Sequence, residues 1–169
     1  MNQIKNAQFE TLNILYKLYE YLNKSLFDAE LPEDILINIQ YSYKEENTRA
    51  FFLGRPNRFR IYNPGSNDGF CCEIAISYST LQLPWIEVSE CVLHEMSHFY
   101  QYSIQNSTPS HNNSFREICE KHGLKVELGN KEGEWKRTSL TEETRALVLD
   151  FLKNEGIEVR PRIYRKISS

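Results

Sequence analysis

No stretch of the chain approaches the roughly 20 consecutive apolar residues that a membrane-spanning helix needs, so no membrane association is expected. The opening Met1-Asn2-Gln3-Ile4-Lys5-Asn6 has no apolar run behind its charge and does not read as a secretory leader. Charge of one sign is also scarce. Lys and Arg number 20 against 23 Asp and Glu, a formal net charge of -3 and a pI near 5.9, which give no global electrostatic reason to bind nucleic acid. The cysteines, Cys71, Cys72, Cys91 and Cys119, form no C-x-x-C pair. Cys71 and Cys72, adjacent on a strand, would point to opposite faces, a poor geometry for a disulfide. Reduced thiols and a cytoplasmic location are therefore expected. Nothing repeats and nothing is low in complexity. At 169 residues, 40% of them hydrophobic and 12% aromatic, the chain is large enough for one packed domain spanning 1–169.

Against that plain background one stretch carries chemistry: His94-Glu95-Met96-Ser97-His98, inside a run from Glu90 to Gln101 with neither Gly nor Pro. Side chains four apart on a helix lie one turn above each other, about 5–6 Å between Cβ atoms. Two imidazoles so placed can share one ion, and Glu95 leaves the helix beside it, in position to take a proton from an activated water. The surrounding helix, from Trp85 to about Ile104 after Pro84, is apolar at Ile86, Val88, Val92, Leu93, Met96, Phe99, Tyr100 and Ile104. Two His and a Glu in so greasy a setting are costly without partners, and a metal supplies one.

A catalytic zinc takes three protein ligands and keeps a position open, so a third should lie downstream. His111 and Glu117 are the candidates. His111 is favoured, because it heads a new helix that a short polar loop would fold back over the first. Cys91 stands a turn before His94; as a fourth ligand it would close the site and make it structural, though a small buried thiol is the commoner fate.

The ordered set His94-Glu95-x-x-His98, then His111-x-x-x-Phe115, resembles the SprT-like zinc metallopeptidases. So do the upstream Leu22-Asn23-x-x-Leu26-Phe27-Asp28-x-x-Leu31-Pro32 and the strand Cys72-Glu73-Ile74-Ala75-Ile76-Ser77 followed by Leu81. The resemblance covers roughly 10–122. It implies an α+β, zincin-like fold: a small, mostly antiparallel sheet packed on an N-terminal helix and on the active-site helix. It implies zinc ligands His94, His98 and His111, Glu95 as catalytic base, hydrolysis of protein or peptide substrates, and work near DNA. Many relatives have Gly after the third His and an acidic residue before the aromatic; Asn112 and Ser114 stand here. The Cys-rich zinc ribbon that many relatives carry is not expected within these 169 residues.

The remaining text is read from periodicity. Phe9, Leu12, Leu15, Tyr16, Tyr19, Leu22 and Leu26 predict a helix over 6–27, which Leu31-Pro32 breaks. Ile35, Ile37, Ile39, Tyr41 and Tyr43 alternate as a strand. Arg49–Leu53 and Arg58–Tyr62 read as a hairpin around Gly54-Arg55-Pro56-Asn57, with Arg49, Arg55, Arg58 and Arg60 as a solvated, charge-protected edge. A helix from near Ser110 closes at His122-Gly123, where His122 offsets the dipole rather than binding metal. Beyond it, 123–169 should hold a hairpin (126–128 with 134–138), a helix opened by the capping box Ser139-Leu140-Thr141-Glu142 and ended at Gly156, and a basic tail. The arginines and that tail supply the alternative function, a DNA-associated binding module whose zinc is structural or vestigial; weak nucleic-acid contact would sit there. Tyr62, Tyr78, Tyr100 and Tyr102 are the candidates for a second donor to a tetrahedral oxyanion.

Overall fold

A computed structural model describes residues 2–40, 49–54, 72–128 and 135–158. The first helix, α1 (Asn2–Leu26), places Leu15, Leu18, Tyr19 and Leu22 fully inside, the helical spacing read above. Its exit explains the Leu-Asn…Leu-Pro motif. The buried Asn23 grips residue 31 at both ends: its Nδ2 donates to the Leu31 carbonyl at 2.9 Å and its Oδ1 accepts from the Leu31 N–H at 3.1 Å. Its own carbonyl receives the N–H groups of Phe27 and Ala29, each at 3.0 Å. The turn passes through Asp28 and Ala29 at φ 53 and 58, left-handed conformations that such a clamp must hold in place. Tyr19 adds a bond from its hydroxyl to the Pro32 carbonyl at 2.7 Å.

Three strands follow: β1 (Ile35–Gln40), β2 (Ala50–Leu53) and β3 (Cys72–Ser77). Their order is β1-β3-β2, with β1 parallel and β2 antiparallel to β3. This central sheet is thus mixed, where a mostly antiparallel one was expected. Alternation in β1 reports which face is buried, not which way its neighbour runs. The better signal was in β3, whose side chains from Glu73 to Ser77 are all buried, as a strand paired on both edges should be. The predicted strand over 58–62 lies outside the described residues; the observed partner of β2 is β3.

A short 3₁₀ turn (Thr80–Gln82) leads into α2 (Trp85–Ser103), with Pro84 at the N-cap. This helix is buried nearly all round. Its inward serines stay satisfied by their own backbone: Ser89 donates to the Trp85 carbonyl at 2.7 Å and Ser97 to the Leu93 carbonyl at 3.0 Å. Next come α3 (Asn113–Lys121), the hairpin β4 (Leu124–Leu128) with β5 (Trp135–Leu140), and α4 (Glu142–Asn154). The cap of α4 is Thr141, whose hydroxyl accepts from the Thr144 N–H at 3.2 Å. Ser139, expected to open that helix, is in β5 instead. One continuous apolar core joins α1, β1, β3, α2, α3, β4, β5 and α4. The fold is a mixed α+β domain with four helices and two small sheets among the described residues.

Candidate metal centre

The polar notch on α2 and the start of α3 meet at one point. His94 and His98 stand one turn apart on α2. The loop over 104–112 then brings the chain back, so that His111 arrives just ahead of Asn112, the N-cap of α3. His111 Nε2 lies 3.1 Å from His94 Nε2 and 3.2 Å from His98 Nε2. These three are the group among the described residues that could hold a metal ion, their ligand atoms all within 4.8 Å of one another. Phe115, fully buried, backs all three rings: it stacks on His98 at 4.4 Å between centroids and meets His94 and His111 edge-on at 5.0 Å.

Hydrogen-bond logic shows what the three nitrogens can accept. Gln101 Oε1 receives the Ser110 N–H at 3.2 Å and faces His98 Nδ1 at 3.1 Å. An amide oxygen can only accept, so His98 carries its proton on Nδ1 and turns a lone pair inward at Nε2. His111 Nε2, with one proton or one lone pair, can then fully satisfy at most one of its two short contacts. In three neutral rings both are met only if one His111 proton is split between two lone pairs, a weaker three-centre bond. A cation shared by three lone pairs serves both. The donor set therefore fits a metal, with the second nitrogen of His94 facing Thr138 Oγ1 at 3.0 Å and that of His98 held by Gln101.

Electrostatics point the same way. Burial, followed by the nearby rings of His98 and His111, pushes His94 down to about 3. Burial likewise pushes His98 down to about 4, with the Gln101 bond opposing and His111 adding to the fall. Both rings are thus neutral at ordinary pH, the form that ligates. Glu95, next to His94 and 5% exposed, is driven by burial up to about 8, against a smaller downward pull from a backbone hydrogen bond with Phe52 on β2.

The other sequence candidates are dispersed. Glu117 is exposed on α3, and neither it nor the buried Cys91 joins the histidine group. Tyr100 is engaged elsewhere than with the three clustered histidines, donating to Glu30 Oε2 at 3.0 Å with its ring against Phe27 and His122. Tyr102 packs on Phe52. Tyr62, Arg55, Arg58, Arg60 and the basic tail over 159–169 lie outside the described residues. His122 is buried with its Nδ1–H given to the Leu26 carbonyl, a structural placement apart from the metal group.

Sequence reasoning missed Gln101 and Thr138. Gln101 had a signal: it falls three residues after His98, in the buried phase of a helix whose polar residues all needed partners. Thr138 had none, since only the folding of β5 onto α2 brings it to His94.

No helix of the described residues is long and apolar enough to cross a membrane. Comparison with the curated proteins and with the solved structures gives no significant match. The sequence model of the SprT-like family matches residues 15–134, from α1 through the whole histidine group and ending short of β5. With most of its 169 residues so matched, the chain belongs to the SprT-like family, whose members have metallopeptidase-like domains.

Proposed function

We propose that this domain is a zinc-dependent metallopeptidase of zincin-like architecture, with ligands His94, His98 and His111 and with Glu95 as general base. The observation that carries the reading is the convergence of three Nε2 atoms, with the buried Glu95 next to His94 on the same helix. Ligand nitrogens about 2.0–2.1 Å from a tetrahedral zinc are about 3.3 Å apart, close to the 3.1 and 3.2 Å found here. Three ligands leave one position for water or substrate, as a catalytic site requires.

Zinc, when bound, supplies a Lewis acid that lowers the pKa of water and polarises a carbonyl. The protein supplies the rest. Phe115 backs all three imidazoles, and Thr138 and Gln101 hold Nδ1 of His94 and His98. Glu95 accepts the proton of the attacking water and passes it to the leaving amine. Burial pushes its carboxyl up to about 8, within the range in which one group can both take and give a proton.

Substrates are proteins or peptides, and the resemblance implies proteins associated with DNA. Zinc content and cleavage of casein or histone, with and without DNA, test both parts. Glu95→Gln should keep its zinc and lose hydrolysis by roughly 10²-fold or more; an active variant rejects the mechanism. His111→Ala should weaken zinc binding sharply and Glu117→Ala should not. The reverse result would transfer the third ligand to Glu117.

A further inference from the structure

Gln101 is fully buried, and its contact with Nδ1 of His98 engages only one atom of its side chain. Every polar atom of its side chain is engaged, and the partners sit on both sides of His111. Oε1 accepts from His98 Nδ1 at 3.1 Å and from the Ser110 N–H at 3.2 Å. Nε2 donates to Asn112 Oδ1 at 3.2 Å, the same oxygen that caps α3 by accepting from the Phe115 N–H at 3.0 Å. The Gln101 carbonyl also receives the Ser107 N–H at 2.9 Å and the Ser107 hydroxyl at 3.3 Å. The amide cannot be turned around, because the Ser110 N–H demands an oxygen at one end and the occupied Asn112 oxygen demands a donor at the other.

We propose that Gln101 is a positioning residue that sets two ligands at once, fixing the proton of His98 on Nδ1 and anchoring the residues on either side of His111. One buried amide thereby couples the ring of a helix ligand to the loop that delivers the third. The inference rests on the proposed metal site for its consequence in zinc affinity, but not for its consequence in the tautomer of His98.

The test uses the whole chain with Gln101→Met and Gln101→Glu. Nitrogen NMR of the imidazoles in metal-free protein reads the tautomer, and competition of zinc alone against a chromophoric chelator reads affinity. In the wild type His98 should be the Nδ1–H tautomer. Gln101→Met, similar in bulk but without acceptor or donor, should lose that preference and weaken zinc roughly 10–100-fold. Gln101→Glu keeps an acceptor for His98 and Ser110 but loses the donor to Asn112, so it should retain the tautomer and recover only part of the affinity. A residue that merely filled space would rank the variants the other way, since Glu buries a charge and Met does not. The proposal is overturned by an Nε2–H tautomer of His98 in the wild type, or by a Met variant binding zinc within about twofold of it. Should Gln101→Met not fold, loss of the tautomer in Gln101→Glu overturns it equally. If the wild type binds no zinc, the proposed function fails, while the NMR result still decides the part played by Gln101.

Discussion

His122 and His98 are buried and His94 and His111 partly so, but the surroundings of His122 and of the cluster ask opposite things of an imidazole. In the cluster, three ring nitrogens converge on one point that a cation could share. His122 has its Nδ1–H given to the Leu26 carbonyl at 2.6 Å and its ring stacked on Phe27 at 4.1 Å, while its Nε2 is buried without a hydrogen-bond partner among the described residues. A lone acceptor there costs little; a proton would place an unsatisfied N–H in the core. Burial accordingly holds His122 below its ordinary 6.5, the Leu26 bond opposing, with Lys121 lowering it further and Glu30 and Asp28 pulling it up. The sign of the linkage follows. Below 6.5 the unfolded chain takes up a proton that the folded one refuses, so this stability is complete above 6.5 and drains as pH falls toward the folded value. One such residue gives a slope of up to about 1.4 kcal/mol per pH unit. Denaturant melts of wild type and His122→Gln between pH 7 and 5 should therefore converge as the pH drops. A constant gap across that range would show that His122 does not titrate as described.

At the scale of elements, the same corner shows why some of the fold could be read and some could not. Gly123, at φ 90, turns the chain from α3 into β4, and a Cβ there would lie 2.1 Å from Thr144 Oγ1 in the first turn of α4. Its carbonyl accepts from the Thr141 N–H at 3.0 Å. Gly156, at φ 65, ends α4 with nothing within 4 Å of a Cβ position. Gly156→Ala should thus cost only the left-handed backbone, roughly 1–2 kcal/mol. Gly123→Ala should cost more than that, because α4 must also shift; equal melting temperatures for the two variants would contradict the account. Both glycines were legible as helix stops, since their requirement is local. So were α1, α2 and the pairing of His94 with His98, which depend on spacing along one helix. What was not legible depends on which elements meet. The direction of β1 against β3, the displacement of the α4 cap from Ser139 to Thr141, and the contact of Thr138 with His94 are all settled by packing. Short-range pattern has no access to that. His111 was an intermediate case: its distance from His98 left two candidates, and the turn of the loop onto α2, held through Gln101 and Asn112, is what brings it to the other two rings.

For the molecule as a whole, the question is whether the metal builds the fold or only occupies it. A structural ion in a domain without much core is inseparable from folding, so that chelation unfolds the chain. Here the apolar core runs from Leu15 on α1 through Ile37, Ile74, Val92, Phe115 and Leu124 to Leu152 on α4 without passing through the metal group. The ion would tie α2 to α3 across a core that is already closed, and through Thr138 lean on β5. Metal-free protein should therefore keep its far-UV circular dichroism and melt cooperatively. Zinc at about 1,000 times its Kd should add about 4 kcal/mol, equivalent to roughly 10 °C at this chain length. Loss of secondary structure on adding a chelator would instead favour a structural ion, and with it a binding module rather than a peptidase. Retained structure with reversible loss of cleavage is the outcome that a preformed, open three-histidine site requires.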